Sequence, residues 1–215
     1  MTIKLFLIRH AESIDNIQGR FSGLRNVELT DKGVEQAEKL SLRLKYKTMD
    51  TVYCSDLKRA KQTAEIVFAK KGIEIKTNSK FRELDLGAWE GHTYEEVKAK
   101  FGYGDEFNPW MGNVGSKIII PQGEKIKSFN NKIMNELSII LEQYRAKDED
   151  KNIAIVCHGV VIRAILSNAL KMDLNNMWYI EQDSTALNII SYVNNAIIIN
   201  LVNDTAHLED WCNMD

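Results

Sequence analysis

The sequence predicts an α/β fold: a three-layer α/β/α sandwich around a mostly parallel sheet with an antiparallel strand near its end. Three observations predict it. Short apolar segments alternate along the chain with segments whose apolar residues recur at helical spacing. Two of the short segments, Leu5-Phe6-Leu7-Ile8 and Ile153-Ala154-Ile155-Val156, are apolar without a break, as strands buried inside a sheet are. The last two strand-like segments are separated only by Asn194-Asn195, a dipeptide that tolerates the positive φ of a tight hairpin, so they run antiparallel.

Taken in order, residues 3–8 read as the first strand. A loop of turn formers and cations follows, with Asn16, Gly19, Arg20, Ser22, Gly23, Arg25 and Asn26. A helix opens at Leu29-Thr30-Asp31, with Thr30 as N-cap, Asp31 in the first turn, and Val34, Ala37, Leu40 and Leu44 on one apolar face. Thr51 to Cys54 is a short strand. Ser55 or Asp56 is expected to cap the next helix, whose inward stripe is Leu57, Ala60, Ala64 and Val67 and which closes at Lys70-Lys71-Gly72. Ile73 to Thr77 alternates like a strand. Phe81 to Gly91 is a loop, and Thr93-x-x-Glu96 is a capping box that starts a short helix through about Phe101. Residues 102–123 are broken by glycines and prolines, and a loop of that length in a compact domain is usually functional or mobile. Ile126, Phe129, Ile133, Leu137, Ile140 and Tyr144 mark a long amphipathic helix. After a charged connection come strand 153–157, an apolar helix from about Val160 to Leu170, and the hairpin strands Ala186–Val193 and Ala196–Val202. The last dozen residues read as a surface tail.

One domain over residues 1–215 is the default for this length. A net charge of −2 gives no electrostatic case for nucleic acid or an anionic membrane. No apolar run approaches the roughly 20 residues that span a bilayer, and no signal-peptide layout is present, so the cytoplasm is the expected location. Cys54, Cys157 and Cys212 lack CxxC spacing, which speaks against a zinc site or a disulfide framework. Cys54 and Cys157 read as small buried hydrophobes.

Both unbroken strands deliver a histidine at their carboxyl ends, His10 after Arg9 and His158 before Gly159, where open α/β sheets bind ligands. Alone, each polar residue nearby has a plain explanation. Arg59 lies on an ordinary amphipathic helix, and Glu83 is one carboxylate in a loop. Together they form a set. Arg9 and Arg59 offer planar forks for phosphate, whose monoester carries about two negative charges near neutral pH. A protonated histidine would add to the balancing charge, and the N–H of Gly159 at a helix start is a further anion contact. A carboxylate in such a cationic pocket makes sense if Glu83 is protonated for part of a cycle, as general acid for a leaving oxygen.

These residues resemble the histidine phosphatase superfamily, also called phosphoglycerate mutase-like. The family's Arg-His-Gly hallmark is met by Arg9-His10-Ala11-Glu12-Ser13. The likeness continues through Asn16, Leu29 to Ala37, Ser55 to Ala64, Glu83 to Gly91, Pro121-Gln122-Gly123-Glu124 and His158 to Arg163. It holds in order over residues 3–165, about three quarters of the chain. The resemblance implies a phosphoglycerate mutase-like fold and a phosphohistidine intermediate on His10. Arg9, Arg59 and His158 would hold phosphoryl oxygens and Glu83 would donate the proton. Asn16, Ser22, Gly23 and Gly159 would line the substrate site. No metal or other cofactor is implied.

Ala11 departs from the family glycine. If that position needs a positive φ, alanine costs about 1 kcal/mol or more. If it is extended, the change adds a methyl alone, which is the expected case because Ser13 and Asn16 are retained. The short acid loop resembles the phosphatase branch, and Leu86 to Glu96 looks most like α-ribazole phosphatase. A phosphoglycerate mutase and a non-catalytic phosphate binder are the alternatives. Residues 102–122 are expected to cover the site, with Trp89, Phe107 and Trp110 as candidates to stack on a flat substrate. The expected partner is a small phosphorylated metabolite. A homodimer through the edge of the Asn194-Asn195 hairpin is the assembly to test.

Overall fold

Side-chain alternation along the central strands sorts the core into two layers. Ile3, Leu5, Leu7, Ile153, Ile155 and Cys157 belong to one buried cluster, while Phe6, Ile8, Ala154 and Val156 belong to another. Successive side chains of a strand point to opposite faces, so strands apolar throughout must be covered on both. The computed structural model describes residues 1–103, 120–145, 149–194 and 196–209. Its strands are β1 (Thr2–Arg9), β2 (Thr51–Cys54), β3 (Ile75–Thr77), β4 (Lys151–Cys157), β5 (Leu187–Val193) and β6 (Ala196–Asp204). Its α-helices are α1 (Ile14–Ile17), α2 (Asp31–Arg43), α3 (Lys58–Phe68), α4 (Tyr94–Phe101), α5 (Ile126–Arg145) and α6 (Gly159–Ala169).

The strands form one sheet in the order β3-β2-β4-β1-β5-β6. Neighbours from β3 to β1 are parallel, and β5 runs antiparallel to both β1 and β6. Phe129, Ile133 and Leu137 of α5 with Val161 and Ile165 of α6 complete the first cluster. Ala37 and Leu40 of α2 with Ala64 and Val67 of α3 complete the second. The three-layer sandwich and its antiparallel strand are therefore as expected.

Local differences have physical causes. Thr30 caps α2 by accepting the Gly33 N–H at 3.0 Å, but Val34 is 37% exposed. Gly33 takes the inward position instead, because a Cβ there would stand 2.1 Å from the Glu12 carbonyl oxygen. Neither Ser55 nor Asp56 is the N-cap of α3; Leu57 is, with no side-chain cap bond. The Ser55 hydroxyl is instead 2.8 Å from His158 Nε2, and Asp56 is held by Arg82 at 2.6 and 2.8 Å. The third strand is shorter than expected and starts at Ile75. Residues 204–208 are no free tail. Arg43 of α2 pairs with Asp204, and His207 Nε2 lies 2.9 Å from Thr185 Oγ1. Asn194 has the positive φ of 47° that its hairpin requires. Cys54 and Cys157 are fully buried, as expected. Asn195, Cys212 and residues 104–119, with Phe107 and Trp110, lie outside the described residues.

Register brings the chemistry to one edge. Arg9 pairs with Cys157 and Cys54 with Val156, so β1, β4 and β2 end together. β4 lies between β2 and β1. The chain leaving β1 goes to β2, and the chain leaving β4 goes past β1 to β5. The two connections leave to opposite faces of the sheet, α2 on one and α6 on the other, which opens a crevice at the carboxyl ends of β1 and β4.

Candidate active site

His10 is set by its backbone. Its N–H donates to the Cys157 carbonyl at 2.9 Å, and its own carbonyl accepts from Thr185 N at 3.3 Å. The ring is buried, with Nδ1 2.7 Å from the Ala11 carbonyl oxygen. A carbonyl only accepts, so Nδ1 carries the proton and Nε2 carries the lone pair. Arg59 Nε donates to that lone pair at 3.1 Å. Burial, then the charges of Arg59 and Arg9, hold the His10 pKa well below its ordinary value. His10 is therefore a neutral imidazole at neutral pH, with Nε2 unprotonated.

Ala11 does not strain this arrangement. It is not among the residues at positive φ, and its methyl is fully buried in the cluster beneath α2 and α3, away from the cavity. Ala11→Gly should therefore destabilise the fold by about 1–2 kcal/mol, from the lost methyl and the added chain entropy. The shift of the denaturant midpoint measures this; a stabilised variant would contradict it.

Arg59 is the largest buried polar side chain here, with no ion-pair partner among the described residues. Its Nη1 donates to the Arg25 carbonyl at 2.7 Å and its Nη2 to the Gly23 carbonyl at 2.8 Å. Burial lowers its pKa to about 10, which leaves it protonated at neutral pH. Arg9 Nη1 donates to the Gln182 carbonyl, and Arg9 Nε has no hydrogen-bond partner among the described residues. The same is true of His158 Nδ1. Ser55 Oγ accepts from Leu57 N at 3.3 Å and faces His158 Nε2 at 2.8 Å. If its hydroxyl donates to Nε2, the ring proton of His158 is on Nδ1. The two histidine rings meet edge-on, 5.2 Å between centroids.

Three histidines are held below their ordinary pKa, His10, His158 and His207, chiefly by burial, His207 at about 4. The unfolded chain then binds more protons than the folded one once pH falls below about 6.5. Stability carried by the neutral imidazoles is present above that pH and is lost on acidification toward 4. The thermal midpoint should drop between about pH 7 and about pH 5; a constant midpoint would contradict it. Inorganic phosphate should offset part of the loss, since an anion favours protonated histidines.

A cavity of about 290 Å³ joins these groups. Arg9, His10, Arg59, Glu83, Asn16, Ser22, Gly23 and Gly159 all line it, so the structure brings eight of the nine expected residues to one cavity wall. His158, the ninth, does not line it, but its ring touches that of His10 edge-on. Asn16 sits on α1 rather than in a loop. Its Oδ1 accepts from Ser13 N at 3.0 Å and Ser13 Oγ at 2.8 Å, which leaves the amide NH₂ as the end a ligand would meet. Gly23 is glycine for a structural reason. Its φ is +47°, and a Cβ would stand 2.0 Å from Glu90 Oε1. That oxygen accepts from Leu24 N at 2.7 Å and Leu86 N at 3.2 Å, stapling the two loops of the cavity together. Glu83 Oε1 accepts from Leu84 N at 2.9 Å, and Oε2 lies 3.4 Å from Val160 N at the start of α6.

The lining residues that the sequence reading did not assign to the site include Arg20, Tyr94, Arg163 and Trp178. Arg163 had a signal, since it closes the stretch His158 to Arg163; Trp178 had none, because it arrives from a separate irregular segment. Trp89 is fully buried against Phe21 and Tyr103, with ring centroids at 5.5 and 5.9 Å, as a core residue under the cavity. Among the described residues no group of three or more His, Cys, Asp or Glu could hold a metal ion, and no helix is long and apolar enough to cross a membrane.

The pattern that defines the histidine phosphatase superfamily (branch 1) matches residues 5–205. The chain belongs to the histidine phosphatase superfamily. It is similar to phosphoserine phosphatase 1 of Hydrogenobacter thermophilus, 31% identical over 209 residues that cover 97% of this chain and 96% of that one. It is also similar to the adenosylcobalamin/alpha-ribazole phosphatase of Escherichia coli, 27% identical over 181 residues, 84% of this chain and 86% of that one. Among solved structures, the phosphoserine phosphatase of Entamoeba histolytica in complex with 3-phosphoglyceric acid superposes with a TM-score of 0.81 at 26% identity, covering 96% of this chain and all of that one. This histidine phosphatase is thus an enzyme that hydrolyses phosphate esters.

Proposed function

We propose that this histidine phosphatase cleaves phosphomonoesters through a phosphohistidine on His10. One observation carries the reading: neutral His10, with its lone pair on Nε2, stands between buried arginines and His158, and Arg9 Nε and His158 Nδ1 lack partners among the described residues. A phosphoryl group would supply acceptors for both. Its charge would be met by Arg9 and Arg59 in a buried setting where fixed dipoles need not reorganise.

In the first step Nε2 attacks phosphorus and the P–O ester bond breaks. Arg59 stays protonated, releases the lone pair and donates its Nε–H as a hydrogen bond to a phosphoryl oxygen. Glu83, protonated, gives its proton to the leaving alcohol. In the second step water attacks the phosphohistidine, Glu83 takes a proton from it, and inorganic phosphate leaves with His10 neutral again. Asn16 hydrogen-bonds the group in transit.

Brief mixing with ³²P-labelled substrate and an alkaline quench should leave one base-stable label on His10; a label elsewhere, or none during turnover, would overturn the mechanism. A mutase would isomerise 3-phosphoglycerate in the presence of 2,3-bisphosphoglycerate, whereas phosphate release without isomerisation is expected here. A phosphate binder without catalysis would give tight binding and no turnover on any ester. α-Ribazole phosphate remains in the substrate panel on the strength of the Escherichia coli relative. A cytoplasmic location and a homodimer belong to the same reading. The dimer is supported by Ile197, Ile198 and Val202, which are exposed on edge strand β6, and sedimentation tests it.

A further inference from the structure

The phosphoryl group has its own cations in Arg9 and Arg59. The cavity holds another at Arg163, one turn along α6 from Gly159. Its fork is fixed rather than trailing in solvent. Nε donates to the Ile180 carbonyl at 2.7 Å, and the guanidinium lies 5.9 Å from the centre of the Trp178 ring. No carboxylate pairs with it among the described residues. Its two Nη groups are therefore held in place for an acceptor that the described chain does not supply. Glu83, Glu181 and Asp183 act on it only through space, and a half-buried guanidinium without a direct partner is costly unless a ligand completes it.

The position of Gly159 says where that acceptor sits. A Cβ on Gly159 would stand 3.4 Å from Arg163 Nη1 and 3.6 Å from Arg9 Nε. The two arginines thus border one gap, which glycine leaves open. Arg9 approaches it from the phosphoryl side and Arg163 from the other. An anion on Arg163 must then lie only a few bonds from the phosphate. A nucleoside monophosphate carries its base and sugar in that direction and has no second anion there. A phosphorylated hydroxy or amino acid has a carboxylate at about that separation.

Resting on the phosphomonoesterase reading, we propose that Arg163 binds a substrate carboxylate across the Gly159 gap, so that the substrates are small phosphorylated carboxylic acids. The planar fork suits a carboxylate bidentately. Trp178 and the Ile180 carbonyl hold the fork at the angle that takes it.

The test compares kcat/KM of the full chain on O-phosphoserine and on phosphoethanolamine, which is the same ester without the carboxylate. The wild type should favour phosphoserine by about 10- to 100-fold, the worth of one charge-assisted pair. Arg163→Met should bring that ratio near one, and Arg163→Lys, which keeps the charge without the fork, should lie between. A wild-type ratio near one, an unchanged ratio in Arg163→Met, or better hydrolysis of α-ribazole phosphate than of phosphoserine overturns the proposal. Should Arg163→Met fail to fold, the Arg163→Lys ratio decides, and a wild-type ratio there overturns it. Hydrolysis of both esters without preference defeats the carboxylate subsite alone. Failure to hydrolyse these esters or p-nitrophenyl phosphate defeats the phosphomonoesterase reading with it.

Discussion

His10→Ala lowers turnover of every phosphomonoester by about 10⁴-fold or more and removes the base-stable label. Loss of a nucleophile that forms a covalent intermediate costs on this order, and what survives comes from binding alone. The structure gives the loss its reason. Nε2 of His10 is the one lone pair presented to the cavity by a ring whose Nδ1–H is committed to the Ala11 carbonyl and whose backbone is pinned to Cys157 and Thr185. No neighbouring side chain can take over. His158 is turned so that Nε2 faces Ser55, and Arg59 stays protonated. The variant should still bind inorganic phosphate, because Arg9, Arg59 and His158 remain, and equilibrium binding separates this from a collapsed site. Turnover within about a hundredfold of wild type would show that another group attacks phosphorus.

Glu83→Gln separates substrates by leaving group. Esters of ordinary alcohols should slow by about 10²- to 10⁴-fold, since the alkoxide cannot leave without a proton. p-Nitrophenyl phosphate should slow far less in the first step, because its phenolate leaves unprotonated. With that substrate the second step becomes slow, and the phosphohistidine should accumulate because water lacks its base. The local geometry favours this reading over a purely structural one. Among the described residues Glu83 accepts only from Leu84 N and the distant Val160 N, and glutamine keeps an oxygen for either. An equal loss on both kinds of ester, with no accumulation, would mean that Glu83 acts by its charge or its packing.

Much of this was legible beforehand. Thr30 and Thr93 announced helices α2 and α4 because a cap and a capping box are local hydrogen-bond patterns. The unbroken apolar runs of β1 and β4 announced a sheet covered on both faces. The cap of α3 was misread for an instructive reason. Ser55 and Asp56 look like capping residues, but the site recruits Ser55 to His158 and the acid loop recruits Asp56 through Arg82. Val34 was misread because Gly33, without a side chain, is what lets α2 lie against Glu12. Arg59 looked like an ordinary helix residue, since nothing in its neighbours along the chain says that its helix points it at His10.

By itself the sequence determined the order of strands and helices, the two histidines at strand ends and the cationic character of the pocket, because each is set by residue type and short-range spacing. The tertiary structure alone decided what those groups do to one another. It put β4 between β2 and β1 and so joined residues 10, 59 and 158, which are far apart in the chain. It placed the lone pair of His10 on Nε2 through the Ala11 carbonyl, and it showed that alanine stands there unstrained. It also set Arg163 across the Gly159 gap from Arg9. Burial, tautomer and the pairing of charges depend on what surrounds a group in space, and distance along the chain does not record that.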